Sequence, residues 1–402
     1  MPLSPQTRSI VKACIPALEA HGLDITKEMY RRLLSNEAIR DLFNISHQKS
    51  GDQPKALAFA ILAYARHIDD PAALKDMIER IAEKHVGLNI LPEHYPHVGT
   101  ALLEAIAHVL DEQATPDIMN AWKEAYGFLA DVLINREQQI YNAHASEKGG
   151  WTGWRAFRIT HRHEETADTV SFILHPVDDQ PVMRHQPGQY LSFRLTIPGA
   201  GTERRNYSIS SAPAEDHYRI TIKRQEKGVA SSWFHDHARE GDILDVSAPA
   251  GDFTLSASES RPVVFMSAGS GITPLMSMLE TLATHDSRPP IHVIHGTQTP
   301  QSTIFTRRLH ELAQADIMKA DMFYSQTDTL PPHTEGITSH TGRLTPSWLK
   351  DHTDRDADFH ICGPTEFLVT MIQALRERNI PKDRIHYEMF GSASNPFLAT
   401  QA

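Results

Sequence analysis

The sequence predicts a three-part chain: an all-α region over residues 1–147, an antiparallel β-barrel over 148–257, and an α/β region with a parallel sheet over 258–402. Three observations predict it. Between residues 4 and 142 apolar residues recur at helical spacing, as at Leu57, Ile61, Tyr64 and Ile68, and Gly or Pro stand mainly where helices should end. Around residues 145–150 that periodicity breaks, and from Trp154 short stretches alternate polar and apolar, as over residues 218–224, with turn residues between them. After about residue 258, β-rich runs at 263–266 and 291–294 are separated by helical segments such as 275–281, the alternation that builds a parallel sheet. No internal repeat or low-complexity segment interrupts the chain.

A length of 402 residues exceeds what one hydrophobic core normally serves, which fits several domains. The net charge of -11 argues against nucleic acid or anionic membranes as partners and leaves small molecules. Met1-Pro2-Leu3-Ser4 opens no signal sequence, and no apolar run reaches the roughly 18 residues of a membrane span. The two cysteines, Cys14 and Cys362, support neither a disulfide framework nor a cysteine-based metal site, and a reducing, cytoplasmic setting is expected.

In the helical third, Leu74, Met77, Ile78 and Ile81 mark one side of a helix, and His85 continues that stripe. A neutral imidazole facing a core is a good ligand for haem iron, provided a hydrogen bond fixes its orientation. Glu137 follows Tyr126, Ala130 and Leu133 on an apolar face, where an unpaired carboxylate is costly, and Tyr95 lies just beyond the His85 helix. Taken residue by residue, the pattern also fits a core histidine bonded to backbone, in a chain of 24 histidines, and a glutamate reaching water.

In the middle third, Arg205-Asn206-Tyr207-Ser208 combines a cation for a pyrophosphate, a ring to stack on isoalloxazine and a hydroxyl for the flavin edge. Alone it reads equally as an ordinary strand. Pro187-Gly188-Gln189-Tyr190 precedes it and Gly228-Val229-Ala230-Ser231-Ser232 follows, the latter offering small residues and backbone amides to phosphate. In the last third, Gly269-Ser270-Gly271-Ile272-Thr273-Pro274 follows a β-run and opens a helix, so backbone amides can approach a second pyrophosphate. Cys362-Gly363-Pro364 ends a later strand, where nicotinamide would lie.

Phe43-Asn44-Ile45-Ser46, Gly51-Asp52-Gln53, Ala82-Glu83-Lys84-His85, Ala125-Tyr126-Gly127 and Ile134-Asn135-Arg136-Glu137 resemble the globin domain of flavohaemoglobins, and the barrel trio resembles the flavin barrel of the ferredoxin-reductase family. The resemblance covers essentially the whole chain. It implies haem b held by His85, with Tyr95 and Glu137 hydrogen-bonding that ligand and making it more electron-donating. It sets Tyr30 and Gln53 on the oxygen-binding side, Leu57 as its apolar wall, Phe43 against the haem ring, and Lys84 as an influence on haem and flavin potentials. Tyr387-Glu388-Met389-Phe390-Gly391 resembles the segment that lays an aromatic ring, here Phe390, against FAD, with Glu388 between flavin and haem; Met389 stands where cysteine is common and Ser392 where proline often follows. No acidic residue ends the run 291–296 to hold ribose hydroxyls, so NADH and NADPH stay open, and Arg307 and Arg308 are candidates for a ribose phosphate.

The resemblance implies an NAD(P)H-dependent nitric oxide dioxygenase that acts on O2 and NO and passes electrons from NAD(P)H through FAD to haem; a monomer is expected, with the oligomeric state left open. The alternatives are a general flavin reductase for external acceptors, and an oxygen or nitric oxide sensor or store.

Overall fold

A computed structural model describes residues 3–40, 42, 52–256 and 261–391. They divide into two units. The first holds the described residues up to Trp154 together with Arg194–Arg205; the second holds Arg155–Phe193 and Asn206–Gly391.

Up to Trp154 the chain is helical: α1 (Pro5–Ala13), α2 (Ile15–Ser35), α3 (Glu37–Arg40), α4 (Asp52–Arg66), α5 (Lys75–Gly87), α6 (Tyr95–Leu110) and α7 (Pro116–Ser146). Helix starts follow local chemistry. Ser4 caps α1 by accepting from the Thr7 amide at 3.0 Å, and Thr115 caps the 31-residue α7, where Pro116 at the first position forfeits no hydrogen bond. Val11, Ile25, Met29, Leu33, Ala105, Ile106 and Trp122 form the core where α1, α2, α6 and α7 meet, each large side chain contributing about 1.5–3 kcal/mol by leaving water. Against α7 packs α5, and this pairing carries the candidate site. It is pinned by a two-bond contact in which Arg136 donates to both oxygens of Glu79, at 2.7 and 2.5 Å.

From Arg155 the chain builds a six-stranded antiparallel sheet in the order β4-β3-β6-β1-β2-β5, from β1 (Arg155–Thr166), β2 (Thr169–Pro176), β3 (Tyr190–Ile197), β4 (Gly201–Ser208), β5 (Tyr218–Lys223) and β6 (Ile243–Val246). An antiparallel bridge between Ile209 and Ile220 joins its two edges, so the sheet closes on itself around Phe157, Phe172, Phe193, Tyr218 and Phe234. Helix α8 (Val229–Asp236) supplies Phe234 to that core.

The remainder is a parallel sheet in the order β10-β9-β8-β7-β11-β12, with β7 (Val263–Ala268), β8 (Ile291–Thr297), β9 (Lys319–Tyr324), β10 (Ile337–Thr341), β11 (Asp358–Cys362) and β12 (Ile385–Glu388). Helices α9 (Ile272–Ala283), α10 (Thr306–Gln314), α11 (Pro346–His352) and α12 (Thr365–Glu377) connect the strands. Strands β7 and β11 are buried almost end to end, as a sheet covered on both faces requires. The chain order reverses at β7, which has β8 on one side and β11 on the other. Crevices for ligands form at the carboxyl ends of strands at such a reversal.

The expected classes of all three regions match what is observed, including the helix predicted at 275–281 and the strands at 218–224, 263–266 and 291–294. Among the described residues no helix is long and apolar enough to cross a membrane. Cys14 and Cys362 are buried free thiols, and burial pushes the Cys362 thiol well up, so it is not a ready thiolate.

Candidate functional site

His85 sits in the last turn of α5, and the stripe before it is apolar as read: Leu74 is buried, and Ile78 and Ile81 pack on a cluster of Tyr95, Ala130 and Leu133. Glu137 comes from α7, four residues after Leu133, and is 2 % exposed. Tyr95 opens α6. The three meet. His85 Nδ1 lies 2.7 Å from Glu137 Oε1 and 3.0 Å from the Tyr95 hydroxyl, which donates to the same carboxylate oxygen at 2.5 Å. Burial first, and then the charge of Glu137, push the Tyr95 phenol far above its ordinary range, so it stays protonated and acts as a donor. An ionised carboxylate accepts only, so Nδ1 carries the imidazole proton. The other ring nitrogen, Nε2, has no hydrogen-bond partner among the described residues and keeps its lone pair for a ligand.

Two residues hold this set in place: Tyr126, which the sequence places in a motif without a role, and Gly99, which it does not single out. Tyr126 on α7 donates to the Tyr95 carbonyl at 2.7 Å. Gly99 makes room for it: a Cβ there would lie 2.5 Å from the Tyr126 ring. A glycine inside an apolar helix was the available signal, since it costs about 1 kcal/mol relative to alanine unless something needs the space. Arg204 also reaches this region, donating to the Leu88 carbonyl at the end of α5 at 2.5 Å while its guanidinium lies over the Trp154 ring.

Tyr30 on α2 and Leu57 on α4 pack against the same helical core. Burial raises the Tyr30 phenol to about 12, keeping it a donor. Gln53, at the start of α4, has its Oε1 buried with no hydrogen-bond partner among the described residues. Lys84 is half-buried. Phe43 lies outside the described residues. A imidazole nitrogen with a free lone pair, backed by a carboxylate, and a buried unpartnered amide oxygen are the groups a haem pocket requires.

In the barrel, Arg205 pairs with the buried Glu203 at 2.7 Å, a partner the motif reading did not foresee. Asn206 Oδ1 accepts from the Ser192 hydroxyl at 2.8 Å. The Tyr207 ring meets Phe234 edge-on at 5.3 Å and Phe193 at 5.7 Å, so its orientation is fixed by packing. Ser208 and Tyr190 are buried. Gly228 is the cap of α8, followed by Val229, Ala230 and Ser231; the Ser231 hydroxyl accepts from the Gln225 amide at 3.1 Å and shapes that turn.

The two glycine-bearing loops lie side by side. Gly269, Ser270 and Gly271 form a single tight turn after β7; Ile272, Thr273 and Pro274 then start α9, with the Thr273 hydroxyl donating to the Ser270 carbonyl at 2.9 Å. Ser267 and Cys362 are direct partners across β7 and β11. A Cβ on Gly271 would come within 2.1 Å of the Cys362 carbonyl oxygen and 2.7 Å of the Gly363 nitrogen. The turn is therefore glycine because another backbone occupies the space. Cys362, Gly363 and Pro364 lead into α12, so two helix N-termini open from adjacent strands. Beyond β12, Glu388 accepts from the Met389 amide at 3.1 Å, Met389 sulfur accepts from the Thr365 hydroxyl at 3.6 Å, and Phe390 is 44 % exposed, a large share for an aromatic ring. Gly391 closes the described segment, and Ser392 lies outside it. Arg308 is engaged by Glu280 and Glu311, and Arg307 faces solvent beside Glu311.

Comparison with known proteins matches residues 27–133 to the globin family, 156–255 to the oxidoreductase FAD-binding domain and 265–375 to the oxidoreductase NAD-binding domain. The chain is 44% identical over 398 residues to a flavohemoprotein of Xylella fastidiosa (strain 9a5c), covering 98% of this chain and 99% of that one. It is 41% identical to a flavohemoprotein of Halalkalibacterium halodurans, with 97% of each chain covered. Among solved structures, the flavohemoglobin from Malassezia yamatoensis, with bound FAD and heme, superposes with a TM-score of 0.86 at 29% identity over 97% of this chain and 100% of that one.

Proposed function

We propose that this chain, since it belongs to the flavohaemoprotein family, is an NAD(P)H-dependent nitric oxide dioxygenase that turns nitric oxide and dioxygen into nitrate. The observation that carries the reading is the hydrogen-bonded set of His85, Glu137 and Tyr95. A simple oxygen carrier needs only an oriented imidazole. A buried carboxylate on Nδ1 gives that imidazole anionic character and makes Nε2 a stronger donor, which suits a site that activates its ligand.

Haem bound at His85 would supply the oxygen chemistry and single-electron transfer, and FAD the conversion of hydride from the nicotinamide into single electrons. The residues do the rest. His85 would offer Nε2 to iron, with Tyr95 sharing the load on the Glu137 carboxylate. Tyr30 would donate its hydroxyl to a diatomic ligand, Gln53 would turn its unpartnered amide to the same side, and Leu57 would keep water out. Arg205, steadied by Glu203, would meet the FAD pyrophosphate, with Tyr207 and Phe390 against the flavin rings and Ser208 at its edge. The amides around Gly228–Ser231 and Gly269–Gly271 would hold phosphates, and Cys362–Pro364 would border the nicotinamide. Lys84 and Glu388 are read as charges that tune electron transfer. The source of electrons sets the enzyme in the cytoplasm.

The test is nitric oxide loss at an electrode in aerobic buffer, with cofactor-replete protein and NADH or NADPH, followed by nitrate assay. Nucleotide-dependent loss with matching nitrate supports the dioxygenase. Fast dye reduction without nitric oxide loss would make the chain a general flavin reductase, and tight ligand binding without nucleotide oxidation would make it a sensor or store.

A further inference from the structure

Outside the haem and nucleotide sites, one group of side chains has the composition of a metal centre. We propose that His175, Asp216 and His217, on the wall of the barrel, bind a divalent transition-metal cation of the zinc, nickel and copper class. Each offers one ligand atom, and among the described residues these atoms all lie within 4.8 Å of one another.

The fold makes this grouping. His175 is the penultimate residue of β2, and its neighbour Leu174 pairs with Tyr218 at the start of β5, so His217 arrives directly across the strand pair from His175. The two imidazoles stack with centroids 5.4 Å apart and planes 27° from parallel. Asp216, in the turn before β5, reaches between them: its Oδ1 is 2.8 Å from His217 Nδ1 and its Oδ2 is 4.0 Å from His175 Nε2. Two imidazoles and a carboxylate match borderline cations, and not calcium or magnesium, which prefer all-oxygen cages.

His175 is oriented for the task. Its Nδ1 lies 2.9 Å from the Thr160 hydroxyl, and that hydroxyl gives its own hydrogen to the Ile173 carbonyl at 3.3 Å. In the tautomer that leaves the Thr160 hydroxyl on the Ile173 carbonyl, Nδ1 carries the proton and Nε2 keeps its lone pair on the Asp216 side; the same hydroxyl also lies 3.3 Å from His161 Nδ1. A hydrogen bond on the far nitrogen is what ligating histidines ordinarily have. Arg158, the direct strand neighbour of His175, sends its guanidinium to the Gly241 carbonyl at 3.3 Å and not toward the carboxylate. Tetrahedral bonds of about 2.1 Å set ligand atoms about 3.4 Å apart, so closure asks the three side chains, Asp216 exposed among them, to draw together from within 4.8 Å.

Zinc alone is the probe. Holoprotein is dialysed against buffered free zinc and its metal content measured, beside His175→Ala, His217→Ala, Asp216→Asn and, as a control, the exposed His333→Ala. The expected result is one zinc taken up by wild type and by His333→Ala, with affinity at least about tenfold weaker in each of the other three. Thr160→Val, which removes only the orienting hydroxyl, weakens binding by about tenfold. FAD absorbance in each variant reports that the barrel has folded, and Asp216→Asn, at an exposed turn, tests the site even if a histidine variant fails that control. Zinc affinity unchanged in Asp216→Asn and in either correctly folded histidine variant overturns the proposal.

Discussion

The His85 cluster and the paired glycine loops are both assembled from segments far apart in the chain, yet one is made of side chains and the other of their absence. In the first, a carboxylate, a phenol and an imidazole converge in an apolar interior, and each satisfies a group that would be costly alone. In the second, Gly271 leaves a gap of one methyl group that the backbone of Cys362 and Gly363 fills. A site of the first kind is damaged by taking atoms away. A site of the second kind is damaged by adding them.

The sharpest way to break this contrast is His85→Ala. It should abolish the Soret absorbance almost completely while NADH-driven dye reduction continues at the wild-type rate; a normal haem spectrum would remove His85 from its assigned role. Glu137→Gln keeps the shape and removes the charge. Haem should stay, and nitric oxide turnover should fall by about 10–100-fold, with a weaker iron–histidine stretch by resonance Raman; equal turnover would reduce Glu137 to a packing residue. Gly271→Ala is the converse experiment. One added carbon should weaken nicotinamide binding by about tenfold, or about 1.4 kcal/mol, measured as KM against kcat for dye reduction, with the haem spectrum untouched. Tyr126→Phe removes one hydrogen bond to the Tyr95 carbonyl and should cost about 1 kcal/mol in chemical unfolding of the helical unit.

The last prediction contrasts His85 with a histidine that has no carboxylate. His360, in β11, accepts from the Ser256 amide at 3.1 Å, and its Nδ1 is buried without a partner among the described residues. Burial, with His386 adding to it, lowers its pKa to about 3. Below the unfolded value of about 6.5 the unfolded chain gains a proton that the folded chain refuses. The stability this neutral histidine allows is therefore full above that pH and is lost as pH falls toward 3, at about 1.4 kcal/mol per pH unit. His360→Phe should lessen the slope of unfolding free energy against pH by about one proton between pH 6 and 4; an unchanged slope would mean His360 is protonated in the fold.

These residues also show what the sequence could and could not carry. His85 was legible because a histidine interrupts a stripe that is otherwise apolar, and Glu137 because a carboxylate does the same on α7. Their meeting was carried by the resemblance and not by the residue pattern, since 52 positions separate them and the packing of α5 on α7 brings them together. Gly271 and Cys362 are likewise legible as two separate loops, but the strand order that sets β7 beside β11 comes from long-range pairing that no local pattern encodes. Glu203 was overlooked because a charged pair within a strand looks like ordinary surface alternation, although this glutamate is buried. The classes of the three regions, by contrast, follow from periodicity alone.

The most direct test of the account is anaerobic stopped-flow mixing of the holoprotein with NADH, following flavin bleaching and haem reduction at several protein concentrations. The account predicts that flavin reduction precedes haem reduction and that the haem phase has a rate independent of protein concentration, because the electrons travel within one chain. Haem that stays ferric after the flavin is reduced, or a haem phase that slows in proportion to dilution, would contradict it.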